Sequence, residues 1–369
     1  MKGHLQHKPG GVTAIICLTL LSLLLTPLLL GRPALAQEAS GPLGWTEYAP
    51  LPLPVMDYAS AQCSNDRNHF YVIGGRDPQG RLLNTAWRYD AVSNIWEAMA
   101  PLPVYIHRAS AICYDNKIYL AGGVIGKFPS NRLYVLNISG IGKIGWDRLP
   151  DIPRRVLGAS LAGWDGKIYL LGGIPEPYYE VSTDRIDTYN IAARTWNVAN
   201  SPRLPKPTAF AGYATIGKYL YIVAGHDSTN VEQLNVYRWD LTTGEWETGP
   251  TMETRRAHYA LVATQNHLYA MGGALADDHS QPMETIEVLD LRLWSSGSWV
   301  VYADNLPGRV DFNGTGFCTM VGGGEIWSVG GQIMDERGNM RVVDLNIRHT
   351  TEPCPLSIVS PPLVETTDQ

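Results

Sequence analysis

Residues 117–123 read Lys-Ile-Tyr-Leu-Ala-Gly-Gly, a short apolar segment that ends in two small residues. Five more segments of this kind end at Gly75, Gly173, Gly225, Gly273 and Gly331. Tryptophans recur with gaps of 51, 50, 50, 50 and 53 residues, at Trp45, Trp96, Trp146, Trp196, Trp246 and Trp299. An Asp or Asn follows each second small residue by 13 to 17 positions. A period near 50 residues predicts a stack or ring of repeated units.

The residue types within one repeat predict β-strands. Segments such as 117–121 and 167–171 are short, rich in β-branched and aromatic residues, and bounded by turn residues such as Asp165-Gly166. Small-residue runs such as Ala109-Ser-Ala111 precede them and suit an innermost strand, where neighbouring sheets crowd around an axis. No helical periodicity is present after residue 36.

These markers resemble the kelch-repeat family over residues 45–346. The departures are few: Ala224 replaces the first glycine once, and Leu136, Leu289 and Val343 replace an aromatic residue. The resemblance implies an all-β propeller with four antiparallel strands in each blade.

The order of the markers predicts how the ring closes. The last repeat has its Gly330-Gly331 and Val343-Asp344 but no following tryptophan, whereas Trp45 precedes every glycine pair. We therefore expect the strand at Trp45 to complete the last blade, which removes a free sheet edge. The prediction is a six-bladed kelch β-propeller over residues 45–349, in which blade 1 carries Gly74-Gly75.

The ends of the chain are expected to lie outside the propeller. Residues 1–36 contain an apolar run and end in Ala34-Leu35-Ala36, which is typical of a cleaved secretory signal peptide. An uncleaved membrane anchor is the alternative, since residues 12–30 are long enough to span a bilayer. Residues 37–44 would form a leader, and residues 350–369 a proline-rich disordered tail. These features predict a secreted or periplasmic protein.

The net charge of the mature chain excludes one class of binding partner. Removal of residues 1–36 leaves 26 basic and 35 acidic residues, a net charge of −9, which argues against binding to nucleic acid.

Cys63, Cys113 and Cys318 occupy similar places near the ends of innermost strands in three blades. Because equivalent positions on separate blades were expected to lie too far apart, we predict free thiols that are not bonded to one another.

A glycine motif, Gly140-Ile-Gly142-Lys143-Ile-Gly145, matches the spacing of a dinucleotide fingerprint. That function requires a preceding parallel strand and a following helix. The repeat instead places the motif in a hairpin turn before Trp146, so nucleotide binding is rejected and no cofactor is expected.

The candidate binding residues lie on one face, where propeller topology brings together two kinds of loop. Five of the six loops that lead into an innermost strand carry a cation: His107 and Arg108, Arg154 and Arg155, Lys206, Arg255 and Arg256, and Arg309. The loops after the glycine pairs add Arg76, His226, Asp227 and the aromatic residue Tyr178. Such a basic ring could attract an anionic or polyhydroxylic ligand. Structural pairing of each arginine with carbonyls or acids is the alternative.

Two function classes follow from this arrangement. The preferred hypothesis is a secreted binding module that recognises a glycan or a protein partner through these loops, with no catalysis. The alternative is a carbohydrate-active enzyme resembling sialic-acid mutarotases, with copper radical oxidases less favoured because their ligand set is not recognisable. His226-Asp227 and Asp277-Asp278-His279 could together line a metal site, but solvated polar loops are the favoured explanation and no metal is predicted.

Overall fold

The computed structural model describes residues 44–139, 145–175, 181–198, 202–275, 282–302, 305–306, 309–310, 316–335 and 337–355. The predicted signal segment, the leader up to residue 43 and residues 356–369 lie outside these ranges. No helix within them is long and apolar enough to cross a membrane.

Six antiparallel sheets of four main strands form the six blades of a propeller, as predicted. From the innermost strand outwards, blade 1 consists of Ala59–Cys63, Asp66–Ile73, Ala86–Asp90 and Ile95–Ala98, and blade 2 of Ile106–Tyr114, Lys117–Ile125, Leu133–Asn137 and Trp146–Arg148. Blade 3 consists of Ser160–Trp164, Lys167–Leu171, Ile186–Asn190 and Thr195–Asn197, and blade 4 of Gly212–Ile216, Tyr219–Val223, Val236–Asp240 and Trp246–Thr248. Blade 5 consists of Ala260–Ala263, His267–Met271, Ile286–Asp290 and Val300–Val301, and blade 6 of Phe317–Thr319, Glu325–Val329, Asn346–Thr350 and Thr46–Glu47. In the described residues the helical elements are two 3₁₀ turns, Leu291–Leu293 and Val321–Gly323.

Short additional strands lie between the main ones. Phe128–Pro129 folds back on the end of the second strand of blade 2, and Val156–Leu157 pairs with Ile174–Pro175. A three-stranded ribbon of Arg309–Val310, Gln332–Met334 and Met340–Val342 lies beside blade 6.

The glycine pairs bring adjacent blades into close contact, as the pair of blade 1 shows. The N–H of Gly75 donates to the carbonyl of Ile106, at 2.8 Å, and both glycines of the pair have positive φ (63° and 102°). A Cβ atom on Gly74 would lie 2.5 Å from the Ile106 carbonyl oxygen. A side chain here would therefore separate two blades as well as strain the backbone.

The recurring tryptophans also join blade to blade. The indole Nε1 of Trp96 donates to the carbonyl of Ala49 at 2.9 Å, and that carbonyl follows the outermost strand of the preceding blade. Three more pairs repeat this bond at 2.9–3.0 Å: Trp146 with Ala100, Trp196 with Pro150, and Trp299 with Pro250. The 50-residue spacing is thus the length of chain between one such contact and the next.

The hydrophobic core lies between the blades rather than within one of them. The largest cluster combines Tyr119 of blade 2, Leu170 of blade 3 and Trp239 of blade 4. A single blade could not bury these faces alone, so the repeats stabilise one another.

Ring closure follows the predicted route. Thr46–Glu47 pairs with Asn346–Thr350, which pairs in turn with Glu325–Val329, the strand that contains Trp327. Blade 6 also contacts blade 1 directly: the N–H of Gly331 donates to the carbonyl of Val55 at 2.8 Å. The Tyr58 hydroxyl donates to the Val329 carbonyl at 2.6 Å.

The cysteine prediction was wrong. Cys63 and Cys113 form a disulfide between the innermost strands of blades 1 and 2, with a Cα–Cα distance of 4.9 Å. A second disulfide joins Cys318 of blade 6 to Cys354, Cα–Cα 5.6 Å. The innermost strands converge on the axis, and this brings equivalent positions of adjacent blades within bonding distance.

The segment after Thr350 is anchored at its start. Glu352 accepts hydrogen bonds from the Asn266 N–H (2.7 Å) and the Asn266 side chain (3.0 Å), and it contacts His267 Nδ1 (2.8 Å). Burial alone would raise the pKa of the Glu352 carboxyl, but hydrogen bonds from Thr264, His267 and Asn266 lower it to about 2. Residues 350–355 of the expected tail therefore pack on blade 5, next to the disulfide at Cys354.

The closing strand should contribute strongly to stability. Trp45 is 1% exposed, so Trp45→Ala should lower the free energy of unfolding by about 3–5 kcal/mol through lost burial and a cavity. The exposed Glu47 of the same strand provides the control, and Glu47→Ala should change it by less than about 0.5 kcal/mol. Urea unfolding measures both; equal midpoints for the two variants would contradict this closure.

The disulfide between blades 1 and 2 should also be measurable. It closes a loop of 50 residues, for which chain entropy gives a stabilisation of about 4 kcal/mol. The Cys63→Ala/Cys113→Ala double variant should lose a substantial part of this, as judged by denaturant unfolding without reductant. Peptide mapping of the unreduced protein should recover the pairs Cys63–Cys113 and Cys318–Cys354. Labelling of these four thiols in the denatured, unreduced chain would argue against both bonds.

Candidate functional site

The residues that lead into the innermost strands of blades 1 to 5 are linked by backbone hydrogen bonds. All five have positive φ between 51° and 62°: Asp57, Arg108, Gly158, Phe210 and His258. Four bonds of 2.8–3.3 Å join them in series, each from the N–H of one residue to the carbonyl of the residue before it, beginning with Arg108 to Asp57 and ending with His258 to Phe210. This series places the predicted cationic positions on one face, which we call the loop face.

A buried carboxylate organises the loop face at blades 1 and 2. Asp57 has no exposed surface and forms an ion pair with Arg76, while His107 Nδ1 lies 3.3 Å and Arg108 Nε 3.4 Å from its oxygens. Burial alone would raise the pKa of the Asp57 carboxyl, but Arg108, His107 and Arg76 outweigh this and hold the pKa far below its ordinary value. Three of the predicted ligand-binding side chains therefore share one internal counter-ion.

Two other predicted arginines have structural partners. Arg256 is completely buried; it donates to the carbonyls of Gly272 (2.8 Å) and Thr285 (3.1 Å), and to the Glu287 carboxylate (2.7 Å). Arg154 pairs with the buried Asp187 at 2.7 Å. Both arginines connect their lead-in loop to the third strand of the same blade, which is the structural alternative considered from the sequence.

Other predicted residues remain at the surface of the loop face. Arg155 and Lys206 are exposed, and Arg155 Nη1 donates to the Pro129 carbonyl at 3.3 Å. Asp227 instead organises its own loop, accepting bonds from Thr229 N–H (2.7 Å) and the Gln233 side chain (2.7 Å). Burial alone would raise the pKa of the Asp227 carboxyl, but these bonds keep it below its ordinary value.

Some predicted residues cannot be placed. Tyr178 and the segment 277–279 lie outside the described residues, and so does the side chain of Arg309. Among the residues that are described, no group of three or more His, Cys, Asp and Glu side chains could hold a metal ion.

At the loop-face end of the propeller axis, the predicted residues His226 and Arg108 pack with Phe210 and His258, which the sequence analysis did not predict as site residues. The Phe210 ring lies 4.0 Å from the His258 ring, and the His226 ring lies 5.1 Å from that of His258 (centroid distances). The Arg108 guanidinium lies 5.7 Å from the Phe210 ring. Phe210 occupies a position that is glycine in blade 3, Gly158, so repeat comparison alone could have identified it as unusual.

A cavity of about 700 Å³ opens at the opposite end of the axis. Its wall is built from the later halves of the innermost strands and the turns that follow them, and includes Gln62, Arg67, Tyr114, Asn116 and Trp164. The sequence prediction placed the functional surface on the loop face alone and did not identify this cavity.

Among the residues that the structure describes, blade 2 carries the exposed aromatic side chains of the loop face. Its first two strands have nine residues each, and Phe128 pairs with Ile125 where the second strand turns back. Phe128 is 57% exposed, and Tyr105, which precedes the innermost strand, is 59% exposed. We call residues 105 and 124–129 the blade 2 hairpin surface.

Comparison with known proteins agrees with this architecture. Residues 70–290, more than half of the chain, match the Attractin/LZTR1 beta-propeller family. The chain belongs to this family of kelch-type propellers. The kelch resemblance noted from the repeat markers is thereby confirmed.

Several kelch relatives are similar in sequence. Kelch-like protein terF of Aspergillus terreus is 26% identical over 265 residues, covering 68% of this chain and 56% of that protein. Kelch-like protein 25 of Xenopus tropicalis is 23% identical over 237 residues, covering 62% of this chain and 38% of the relative. The chain thus spans about half, or less, of the length of these relatives.

The Asp57 cluster of this kelch propeller should make stability pH-dependent. Because the folded pKa of Asp57 lies below its unfolded value near 3.8, the stabilisation is present above that value and declines as the pH falls below it. Asp57→Asn should lower the unfolding free energy at pH 7 by about 3 kcal/mol, since it leaves the partly buried Arg76 and Arg108 without their shared carboxylate. The stability of the Asp57→Asn variant should vary less between pH 4 and pH 2 than the stability of the wild type.

Asp115→Asn is the matched control, because that carboxylate is exposed and pairs with Lys117 on the opposite face. Chemical unfolding at several pH values measures all three proteins. A pH profile for Asp57→Asn that parallels the wild type would show that the cluster does not stabilise the fold.

Proposed function

We propose that this propeller is a protein-binding module whose docking site is the blade 2 hairpin surface together with the neighbouring basic rim of the loop face. The kelch relationship makes protein binding plausible, and the observation that carries the location is the exposure of Phe128 and Tyr105 on an extended hairpin. Exposed aromatic side chains are enriched at protein interfaces and supply much of their binding energy.

The hairpin is held rigidly, which favours binding with a low entropic cost. Gly123 packs against Ala109 and the His107 carbonyl within the hairpin, leaving no room for a side chain. The disulfide Cys63–Cys113 fixes the other end of the same innermost strand to blade 1. The Asp57 cluster joins blades 1 and 2 directly beneath the surface.

Charge suggests the nature of the partner. Lys127, Arg155, Lys206 and Arg255 are all exposed on the loop face, whereas the chain as a whole is acidic. A partner with acidic residues around an apolar centre would complement this surface, and the charges would accelerate association at low salt. A glycan bearing acidic groups would pair with the basic residues of the rim but would cover less of the apolar surface of the hairpin.

An extracytoplasmic location forms part of the proposal. The two disulfides support it, because such bonds persist mainly in oxidising compartments. The apolar segment before Ala34-Leu35-Ala36 supports it from the sequence.

A site-specific crosslink can test the docking site before the partner is known. Photo-reactive benzoylphenylalanine in place of Phe128 should give a crosslinked protein adduct when the chain is expressed in its own host. The same residue in place of Val92, which is 66% exposed on the opposite face, should give none.

The captured protein can then be used in a binding assay. Phe128→Ala and Tyr105→Ala should each weaken its affinity by about 2 kcal/mol, or roughly 30-fold. Val92→Ala should leave affinity unchanged. Adducts formed equally from positions 128 and 92, or full affinity in both aromatic variants, would refute this docking site.

A further inference from the structure

The cavity on the face opposite the docking surface contains a cation without an acidic partner. Arg67 is the second residue of the second strand of blade 1, and it lines the cavity. Its Nη1 donates weakly to Gln62 Oε1, at 3.4 Å, and its Nε is buried without a hydrogen-bond partner. Within the described part of the chain, no carboxylate lies within ion-pairing distance of this guanidinium. Burial lowers the pKa of Arg67 to about 10, so it remains charged at neutral pH.

The acidic groups at the cavity rim have other partners. Asp115 pairs with Lys117 at 3.0 Å, and Asp165 lies 3.7 Å from the ammonium of Lys167. Each of these pairs lies within the turn between the first and second strands of its own blade. The rim is therefore close to neutral, and Arg67 is left as the uncompensated charge.

Arg67 is held at the cavity wall by a local irregularity. The pairing of the first two strands of blade 1 shifts register between Ala61 and Cys63. Gln62, at that shift, accepts a hydrogen bond from the Cys318 N–H of blade 6 at 3.0 Å and donates to the Arg67 carbonyl at 3.3 Å. A bulge of this kind re-aims a side chain and often occurs beside a binding site.

The rest of the wall suits a polyhydroxylated ring. Tyr114 and Trp164 provide aromatic surface, and the Tyr114 hydroxyl is fixed by the Gly166 N–H at 2.9 Å. Asn116 and Thr215 supply polar groups, and alanines and leucines fill the remainder. A volume of about 700 Å³ is within the usual range for small-molecule sites and is enough for a one- or two-ring ligand.

We propose that this cavity binds a small sugar acid, with its carboxylate on Arg67 and its ring against Trp164 and Tyr114. A guanidinium recognises a carboxylate through two parallel hydrogen bonds, and aromatic rings pack on the apolar face of a sugar. This site is separate from the protein-docking surface, so either proposal can fail while the other stands.

Calorimetric titration of the full chain with sodium glucuronate, glucose and sodium acetate tests the site. Glucuronate should bind at least tenfold more tightly than glucose or acetate, because only glucuronate engages both the cation and the rings. Arg67→Met should weaken the affinity for glucuronate at least tenfold and leave the affinity for glucose unchanged. Arg67→Lys, which keeps the charge but not the paired geometry, should retain part of it.

Controls separate recognition from folding and from general charge. Arg81→Met removes an exposed arginine of the loop face and should leave glucuronate binding intact. Trp164→Leu should weaken glucuronate and glucose alike, and thermal unfolding should confirm that every variant is folded. Equal binding of glucuronate and glucose, no binding of either, or unchanged glucuronate affinity in folded Arg67→Met would overturn the proposal.

Discussion

The requirement that a ring of similar sheets must close determines the rest of this structure. Three kinds of contact recur between adjacent blades: through the glycine pair, through the outer tryptophan and through the lead-in backbone. At the last seam such contacts join residues far apart in the chain: Gly331 bonds to Val55, and the Tyr58 hydroxyl bonds to Val329 across a separation of 271. The pairing of Thr46–Glu47 with blade 6 strengthens this seam, because it makes the chain that leads into blade 1 a strand of the last blade.

Many of the charged side chains that the sequence analysis predicted to bind a ligand are instead paired within the propeller. Arg154 and Arg256 pair with carboxylates of their own blade, whereas Arg108 pairs with Asp57 of the preceding blade. Asp57, Asp187 and Glu287 are each fully buried and each compensates at least one such arginine. Recognition is then left to the side chains that project beyond this layer, such as Phe128 and Arg155, and to the open end of the axis.

Much of the fold could be predicted because kelch repeats carry their inter-blade contacts in single residues. Gly74, Trp96 and Trp146 each mark a contact with an adjoining blade, so their spacing predicts blade number and closure. Distances across the axis are not encoded in this way. The Cys63–Cys113 bond and the cavity beside Arg67 arise from how closely six strands converge, which depends on the side chains of all of them together. For the same reason the sequence places Arg256 at a lead-in loop but does not reveal its partners, the Gly272 and Thr285 carbonyls and the Glu287 carboxylate.

The disulfide at Cys354 also determines how the molecule would respond to mechanical tension. Force applied to the chain beyond residue 354 would pass through the covalent bond to Cys318 in the innermost strand of blade 6. The strand Asn346–Thr350 would thus be bypassed and shielded from peeling. Force on the opposite end would act first on the non-covalent contacts of the closing segment, which are the packing of Trp45 and the hydrogen bonds of Thr46–Glu47 and Tyr48. A tether on the amino-terminal side would therefore open the ring at lower load than a tether on the carboxyl-terminal side.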